Sequence, residues 1–256
     1  MSDEKREVRL VNRRALLQLV GAGTAATAVP LAVAQGGAAN HADSHGQPAP
    51  TPTAAGSTAS SQPQAKPTYL FLNANEAAFI EAAVDTLIPS DEVGPGALEL
   101  GVAVFIDRQL GSGYGRGDRL YLQGPFIEGT PEQGYQMRMT PSELMQAGIA
   151  DVNAHVQEKF QTTFDQLSPA DRAAVITELE TRKVTLPTVP TGTFFELLYE
   201  LTMHGYFSDP IHGGNKGKGS WKMVGFPGVS AVYADKIVEY RNKRYVTEPI
   251  SIQDML

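Results

Sequence analysis

The stretch TPSELMQAGIADVNAHVQEKF, residues 140–160, contains in one place the signals that decide the fold class of this chain. Thr140 suits a helix N-cap, Pro141 suits the first helical position, and Glu143 completes a capping box three residues after the cap. Apolar or small residues then recur at helical spacing, at Leu144, Gly148, Val152, His155 or Val156, and Phe160. The pattern predicts a long helix with one buried face, on which His155 is half-buried.

Two upstream segments show the same kind of pattern. In NANEAAFIEAAVDTLIPSD, Asn73 stands three residues before Glu76, and apolar residues follow at helical spacing until Pro89 ends the predicted helix. In ALELGVAVFIDRQLG the pattern recurs from Leu98 and ends at Gly111, a suitable C-cap. Both segments therefore predict helices.

Two downstream segments predict further helices. SPADRAAVITELETRK begins at Ser168 as the N-cap, whereas TFFELLYELTMHG has Thr193 and Glu196 as a capping box and Gly205 as a stop. A last helix is predicted near residues 232–241. No stretch shows sustained alternation of apolar and polar residues, and no internal repeat is present. The sequence therefore predicts an all-α fold, a single irregular domain of five to seven helices with long loops.

Composition divides the 256 residues into three parts. Residues 35–67 contain no Leu, Ile, Val, Phe, Tyr or Trp, and so cannot bury enough apolar area to offset the entropy of an ordered chain. We predict that they form a disordered tether. Residues 1–34 are predicted to be a targeting segment, and residues 68–256 the helical domain.

The targeting segment has the order of a twin-arginine (Tat) export signal. Adjacent Arg13 and Arg14 precede a mildly apolar stretch, residues 15–34, which ends in the small-x-small cleavage pattern of Ala32 and Ala34. The segment predicts export to the periplasm in a folded state, with cleavage after Ala34. An uncleaved membrane anchor is the alternative, since the length of the stretch just suffices.

Charge and cysteine content exclude several classes of function. Residues 1–34 hold five of the 21 Lys and Arg and three of the 28 Asp and Glu, so the remaining chain has a net charge of −9. Such acidity argues against nucleic acid as a partner, because phosphate binding requires a basic face. The chain has no cysteine, which excludes disulfides, Cys-ligated iron–sulfur clusters and C-x-x-C-H haem attachment within it.

The stretch HGYFSDPIHGGNKGKGSWKMVGFPG, residues 204–228 and hereafter the motif, is the most unusual in composition. It holds the only Trp, three Lys and seven of the 25 Gly. It is too rich in glycine for a helix or central strand and too aromatic for a solvated linker. Two interpretations of its aromatic side chains stay open, namely packing on the chain's own helices or anchoring a protein interface. Its three lysines are Lys216, Lys218 and Lys222. They are equally compatible with a small basic patch that binds an acidic partner surface and with a solvated loop.

Catalytic and cofactor patterns are weak. The glycines of GSGYGRGDR, residues 111–119, do not fit a dinucleotide fingerprint, because no strand precedes them, and a flexible surface loop is expected there. GGNKGKGSWK lacks the P-loop spacing. His204, Asp209 and His212 have side chains that can bind a metal, although nothing in their spacing fixes a geometry.

Three stretches, ANEAAFIEAAVDTLIPSD, GVAVFIDRQL and above all GYFSDPIHGGNKGKGSWKMVGFPG, resemble the small subunit, subunit 3 or gamma, of the gluconate 2-dehydrogenase family. The resemblance covers about residues 69–230, with His212 where Tyr is common in the family. It implies a non-catalytic subunit that accompanies a large FAD-bearing subunit and a multihaem cytochrome c. It also implies that the small subunit's Tat signal serves the large subunit.

Two functions are therefore weighed. The first is an export and stability subunit of a periplasmic flavin dehydrogenase complex, without a catalytic, cofactor or metal residue of its own. Its predicted partner interface consists of Tyr206, Phe207, Asp209, Asn215, Trp221 and Phe226. The second is a free-standing periplasmic enzyme with His204, Asp209 and His212 as a metal site.

Overall fold

Capping side chains set the starts of the predicted helices. In the computed structural model, the backbone N–H of Thr140 donates to the Glu143 carboxylate at 2.8 Å, and that of Glu143 donates to the Thr140 hydroxyl at 3.3 Å. Asn73 and Glu76 form a second reciprocal capping box. Both capping predictions are confirmed. Because each box satisfies N–H groups that have no partner inside the helix, it fixes the residue at which the helix begins.

The structure describes residues 67–127, 129–130, 133, 135–229 and 233–256. The predicted Tat signal and all but the last residue of the predicted tether lie outside the described residues. Within them the α-helices are α1 Ala74–Leu87, α2 Val102–Leu110, α3 Pro141–Phe160, α4 Pro169–Glu180, α5 Thr191–Phe207, α6 Gly219–Val224 and α7 Ala234–Glu239. Short 3-10 turns lie at Phe164–Gln166, Pro210–His212, Lys216–Lys218 and Ile252–Met255. The all-α prediction, with five to seven helices, is confirmed for this part of the chain.

Two predicted helix starts were wrong. Helix α2 begins only at Val102, because Gly101 adopts a left-handed conformation with φ of 76°, and Leu98 before it is 41% exposed. Helix α5 begins at Thr191 after Pro190, without a side-chain cap from Thr193.

Gly205 does not stop helix α5 but lies inside it and is buried. A Cβ at this position would lie 2.7 Å from the Phe105 ring and 2.9 Å from Val102 of helix α2. The glycine therefore permits a close contact between two helices, which the sequence pattern alone does not distinguish from a C-cap.

Aromatic side chains fill the centre of the domain. Phe79 of α1 lies with its ring centroid 4.7 Å from that of Phe164 and 6.4 Å from that of Phe194 in α5. Gly148 of α3 faces Phe194 so closely that any Cβ there would overlap the ring. These contacts join α1, α3 and α5 around one core, in agreement with the apolar face predicted for residues 140–160. On that face Val156 is fully buried and His155 is half-buried, as expected.

A buried carboxylate fixes the start of the domain. Asp107 of α2 is 1% exposed and accepts hydrogen bonds from the backbone N–H groups of Leu70, Phe71 and Leu72, each at 2.9 Å. The three bonds compensate for the loss of solvation on burial of the charge. Across the described ranges, no helix combines the length and the apolar character needed to cross a membrane.

Candidate functional site

The motif folds into four short elements. It comprises the last turn of α5, the 3-10 turns Pro210–His212 and Lys216–Lys218, and α6. The expectation that its glycine content excludes a helix was wrong, because Gly205 and Gly219 lie within α5 and α6. Positive φ angles occur at Gly213, Asn215, Gly217, Lys218, Gly225 and Gly228. Six such positions in sixteen residues explain why so many glycines occur here.

Some of the glycines allow direct backbone contact. A side chain at Gly214 would overlap the carbonyl oxygen of Gly205, and one at Gly219 would lie 2.7 Å from Leu100. At Gly217 nothing lies within 4 Å, so only its φ of 61° favours glycine. Much of the glycine pattern is therefore explained by packing of the motif onto its own domain.

Asn215 is an internal brace of the motif. Its side chain is fully buried, its amide nitrogen donates to the carbonyl of Ser208 at 2.9 Å, and its amide oxygen accepts from the N–H and hydroxyl of Ser220 at 3.0 and 2.8 Å. These bonds connect the end of α5 to the beginning of α6. Its polar atoms are engaged within the chain and are not presented at the surface.

Tyr206 and Trp221 are buried in the same way. Trp221 is 5% exposed, and its indole Nε1 donates to the carbonyl of Phe207 at 2.9 Å. Tyr206 is 1% exposed, and its hydroxyl donates to the carbonyl of Pro95 at 2.9 Å. Both rings therefore pack on the chain's own domain, which is the first of the two uses considered for the motif's aromatic residues.

The motif exposes three apolar side chains, alongside the polar side chains of His212, Lys216 and Lys222. Phe226 is 44% exposed and meets Trp221 edge-on, with ring centroids 5.0 Å apart. Ile211 and Val224 are 37% and 42% exposed, and Phe207 is half-buried. Sequence reasoning selected Phe226 but missed Ile211 and Val224, because a three-residue turn and a six-residue helix give no periodicity that tells which side faces solvent.

The three predicted metal ligands do not form a metal site. Among the described residues, no three His, Asp or Glu side chains are grouped so that they could hold a metal ion, and the hypothesis for His204, Asp209 and His212 was therefore wrong. Asp209 instead accepts hydrogen bonds from the backbone N–H of Ile211 at 3.1 Å and of Ile252 at 2.8 Å. Its carboxylate caps a 3-10 turn and holds the C-terminal segment.

Two of the three motif lysines form ion pairs within the chain. Lys218 Nζ lies 2.7 Å from the carboxylate of Asp254, and Lys222 Nζ lies 3.6 Å from that of Glu248. The hydrogen bond from Lys218, together with two from Ser251, holds the pKa of Asp254 well below its usual range. Carboxylates of the chain's own C-terminal segment thus partly neutralise these two lysines. The pairs could not be predicted from the sequence, because the partners lie far apart along the chain.

The loop of residues 111–119 packs closely at the C-terminal end of α2. The N–H of Gly115 donates to the carbonyl of Gln109 at 3.1 Å, and the hydroxyl of Ser142 donates to that of Leu110 at 2.7 Å. Any side chain at Gly115 would overlap the Leu110 carbonyl. Gly115 therefore serves a close backbone contact, and a helix rather than a strand precedes the loop, as the sequence analysis expected.

The part of the chain that matches a known protein family begins at α1 and ends with the motif. A family model described as gluconate 2-dehydrogenase subunit 3 matches residues 74–228, from the first residue of α1 to the last residue of the motif. Comparison with curated proteins and with solved structures gave no significant match.

Proposed function

Because the chain belongs to the gluconate 2-dehydrogenase subunit 3 family, we propose that it is the non-catalytic small subunit of a periplasmic, membrane-associated dehydrogenase complex of the FAD-dependent gluconate 2-dehydrogenase type. Membership of a subunit family implies a complex with other dehydrogenase subunits. In this proposal a large subunit carries FAD and oxidises the substrate, and a multihaem cytochrome c accepts the electrons. The chain described here escorts and stabilises the large subunit.

The family match over residues 74–228 is the observation that carries the proposal. The hydrogen bonding of polar side chains in the motif is consistent with the proposal. Asp209 and Asn215, which could serve chemistry in another setting, are engaged in hydrogen bonds that shape the motif itself. We therefore assign the motif a role in binding a subunit.

The partner surface that we propose shares Phe226 with the surface predicted from the sequence and adds Ile211 and Val224. The exposed side chains of Ile211, Val224 and Phe226 supply apolar contact area to the large subunit, as aromatic and aliphatic residues do at interface cores. Tyr206, Asn215 and Trp221 act indirectly, because they hold the backbone that carries these side chains.

Export is part of the proposed function. The Tat signal with Arg13 and Arg14 would carry the folded chain together with the loaded large subunit, so that one signal serves both. A signal for folded cargo is useful here, since FAD is inserted before export in this scheme.

The test uses the native host with an affinity tag on the C-terminus of this chain. We expect a large flavoprotein to co-purify from the periplasmic fraction, and a screen of sugars, polyols and sugar acids to identify its substrate. Replacement of both Arg13 and Arg14 by Lys should leave both subunits in the cytoplasm, whereas Arg9→Lys, the matched control, should leave export unchanged. Recovery of the chain alone, with stoichiometric flavin bound to it, would contradict the proposal.

A further inference from the structure

The C-terminal segment, residues 248–256, lies against the end of the motif. The N–H of Val229 donates to the carbonyl of Ile250 at 2.7 Å, and the N–H of Ile250 donates to the carbonyl of Pro227 at 3.1 Å. Gly228 and Ile250 thereby form an isolated parallel bridge. A side chain at Gly228, where φ is 86°, would overlap the Ile250 backbone, so the glycine makes room for the segment.

Side chains of the motif contact the segment at three further points. The Asp209 carboxylate accepts from the N–H of Ile252 at 2.8 Å. Lys218 Nζ donates to the Asp254 carboxylate at 2.7 Å, and that carboxylate also accepts from the N–H and hydroxyl of Ser251 at 2.7 and 2.8 Å. Lys222 Nζ lies 3.6 Å from the Glu248 carboxylate. Four sites of the motif thus contact one stretch of nine residues.

Apolar burial within the segment is confined to Pro249, which is buried. No residue of 248–256 belongs to the buried hydrophobic cluster of the described domain. Ile252, Met255 and Leu256 are 38%, 61% and 94% exposed. A segment that is attached by polar contacts at the surface opens at lower free energy than the core does. It can therefore detach while the helical domain stays folded.

We propose that residues 248–256 are a latch, which closes over the motif and opens from it as one unit. The latch lies outside the residues matched by the family model. The residues that contact it lie within them, namely Asp209, Lys218, Lys222 and Pro227–Gly228. Closure fixes the backbone directly after Phe226, and so it sets the position of the most exposed ring of the motif. The chain's own C-terminus is thus the ligand of this part of the motif, whichever partner binds the rest.

Hydrogen exchange on the isolated exported chain tests whether the contacts open together. Asp254→Ala removes the bonds to Lys218 and Ser251 and leaves the other three attachments in place. If the latch opens as a unit, exchange of the Val229, Ile250 and Ile252 amides should accelerate in parallel by up to about fivefold, the size expected for loss of an exposed ion pair.

Gln253→Ala is the matched control, because Gln253 lies in the same segment with an exposed side chain. We expect exchange in this variant to equal that of the unmodified chain. Acceleration of the Ser251 amide alone in Asp254→Ala would mean that each contact opens independently, and it would overturn the latch. Equal acceleration in both variants would show non-specific fraying and would overturn it as well.

A pair of truncations provides the second test. Deletion of residues 248–256 should abolish protection of the Val229 amide without changing the melting temperature of the domain. Deletion of Met255 and Leu256 alone keeps every latch contact named above and should preserve that protection. If the longer deletion lowers the melting temperature as far as loss of a core side chain does, the segment is part of the cooperative domain and not a latch. Both readouts use the isolated chain, so they stand apart from the proposed partner function.

Discussion

Replacement of Trp221 by Ala tests the division of the motif into a buried brace and an exposed partner surface. A buried Trp side chain removes about 200 Å² from water, which at about 25 cal/mol per Å² corresponds to about 5 kcal/mol as an upper value. With 5% exposure, Trp221 is close to full burial, and its Nε1 bond to the Phe207 carbonyl is lost too. We expect the free energy of unfolding to fall by about 3–5 kcal/mol, the range found for truncation of large aromatic residues.

The assay is thermal melting of the isolated chain combined with recovery of the large subunit in a pull-down. For a domain of this size, 3–5 kcal/mol lowers the melting temperature by about 6–20 °C. Phe226→Ala is the matched variant, because Phe226 contacts Trp221 but is 44% exposed. It should lower the melting temperature by only a few degrees, about 1–2 kcal/mol, and yet reduce recovery of the partner more than its stability loss explains.

Two outcomes would refute this reasoning. An unchanged melting temperature for Trp221→Ala would show that its burial contributes nothing to the domain. Normal partner recovery in Phe226→Ala, at a temperature where the variant is folded, would remove the exposed ring from the proposed interface. Trp221→Phe, which keeps most of the ring volume but loses the Nε1 donor, should cost about 1 kcal/mol and so separates the hydrogen bond from the packing.

Three further predictions concern the domain itself. Asp107→Ala removes the acceptor of three backbone bonds and should lower the free energy of unfolding by about 3 kcal/mol, measured by urea denaturation; a loss below about 1 kcal/mol would contradict the role given to it. Gly148→Ala should cost about 1–3 kcal/mol in the same assay through overlap with Phe194, and a neutral effect would show that the helices can move apart. The hydrogen bond from Lys159 is the chief cause that holds the pKa of Glu178 below its usual value. The ionised Glu178 side chain therefore stabilises the folded state at neutral pH, and this stabilisation is lost as the pH falls through the lowered pKa. The difference in melting temperature between Glu178→Gln and the unmodified chain should therefore shrink below about pH 4 and should not grow there.

Helix starts with a side-chain cap were predictable, because the capping interaction is local. Each capping box, at Asn73 and at Thr140, involves only four consecutive residues, so a local sequence pattern is enough to predict it. The start of α5 at Thr191 was missed, since no side chain caps it and the preceding Pro190 sets the boundary. The sequence pattern predicted a helix end at Gly205. In the structure Gly205 lies inside the helix, because only a glycine leaves room for the close contact with Phe105 of α2.

The candidate site was predictable in position but not in orientation. The aromatic and glycine content of residues 204–228 identified the motif, and the family resemblance agreed with the matched residues 74–228. Which rings face inward could not be predicted, because Trp221 lies in a helix of only six residues and Phe226 follows that helix in an irregular stretch, so neither has a periodic pattern around it. The partners of Asp209 and Lys218 in the C-terminal segment lie 43 and 36 residues away, beyond any local pattern.

By itself, the sequence determined the helical class, the capped helix starts and the family of this chain, since each depends on residues that are close along the polypeptide. The tertiary structure alone decided which motif side chains are buried, which are exposed, and that the C-terminal segment lies on the motif. The physical reason is that burial and long-range hydrogen bonds are properties of surfaces that meet only after folding. Asp209 illustrates the difference: its sequence neighbours suggested a metal ligand, and the N–H of Ile252 made it an anchor for the chain's own C-terminus.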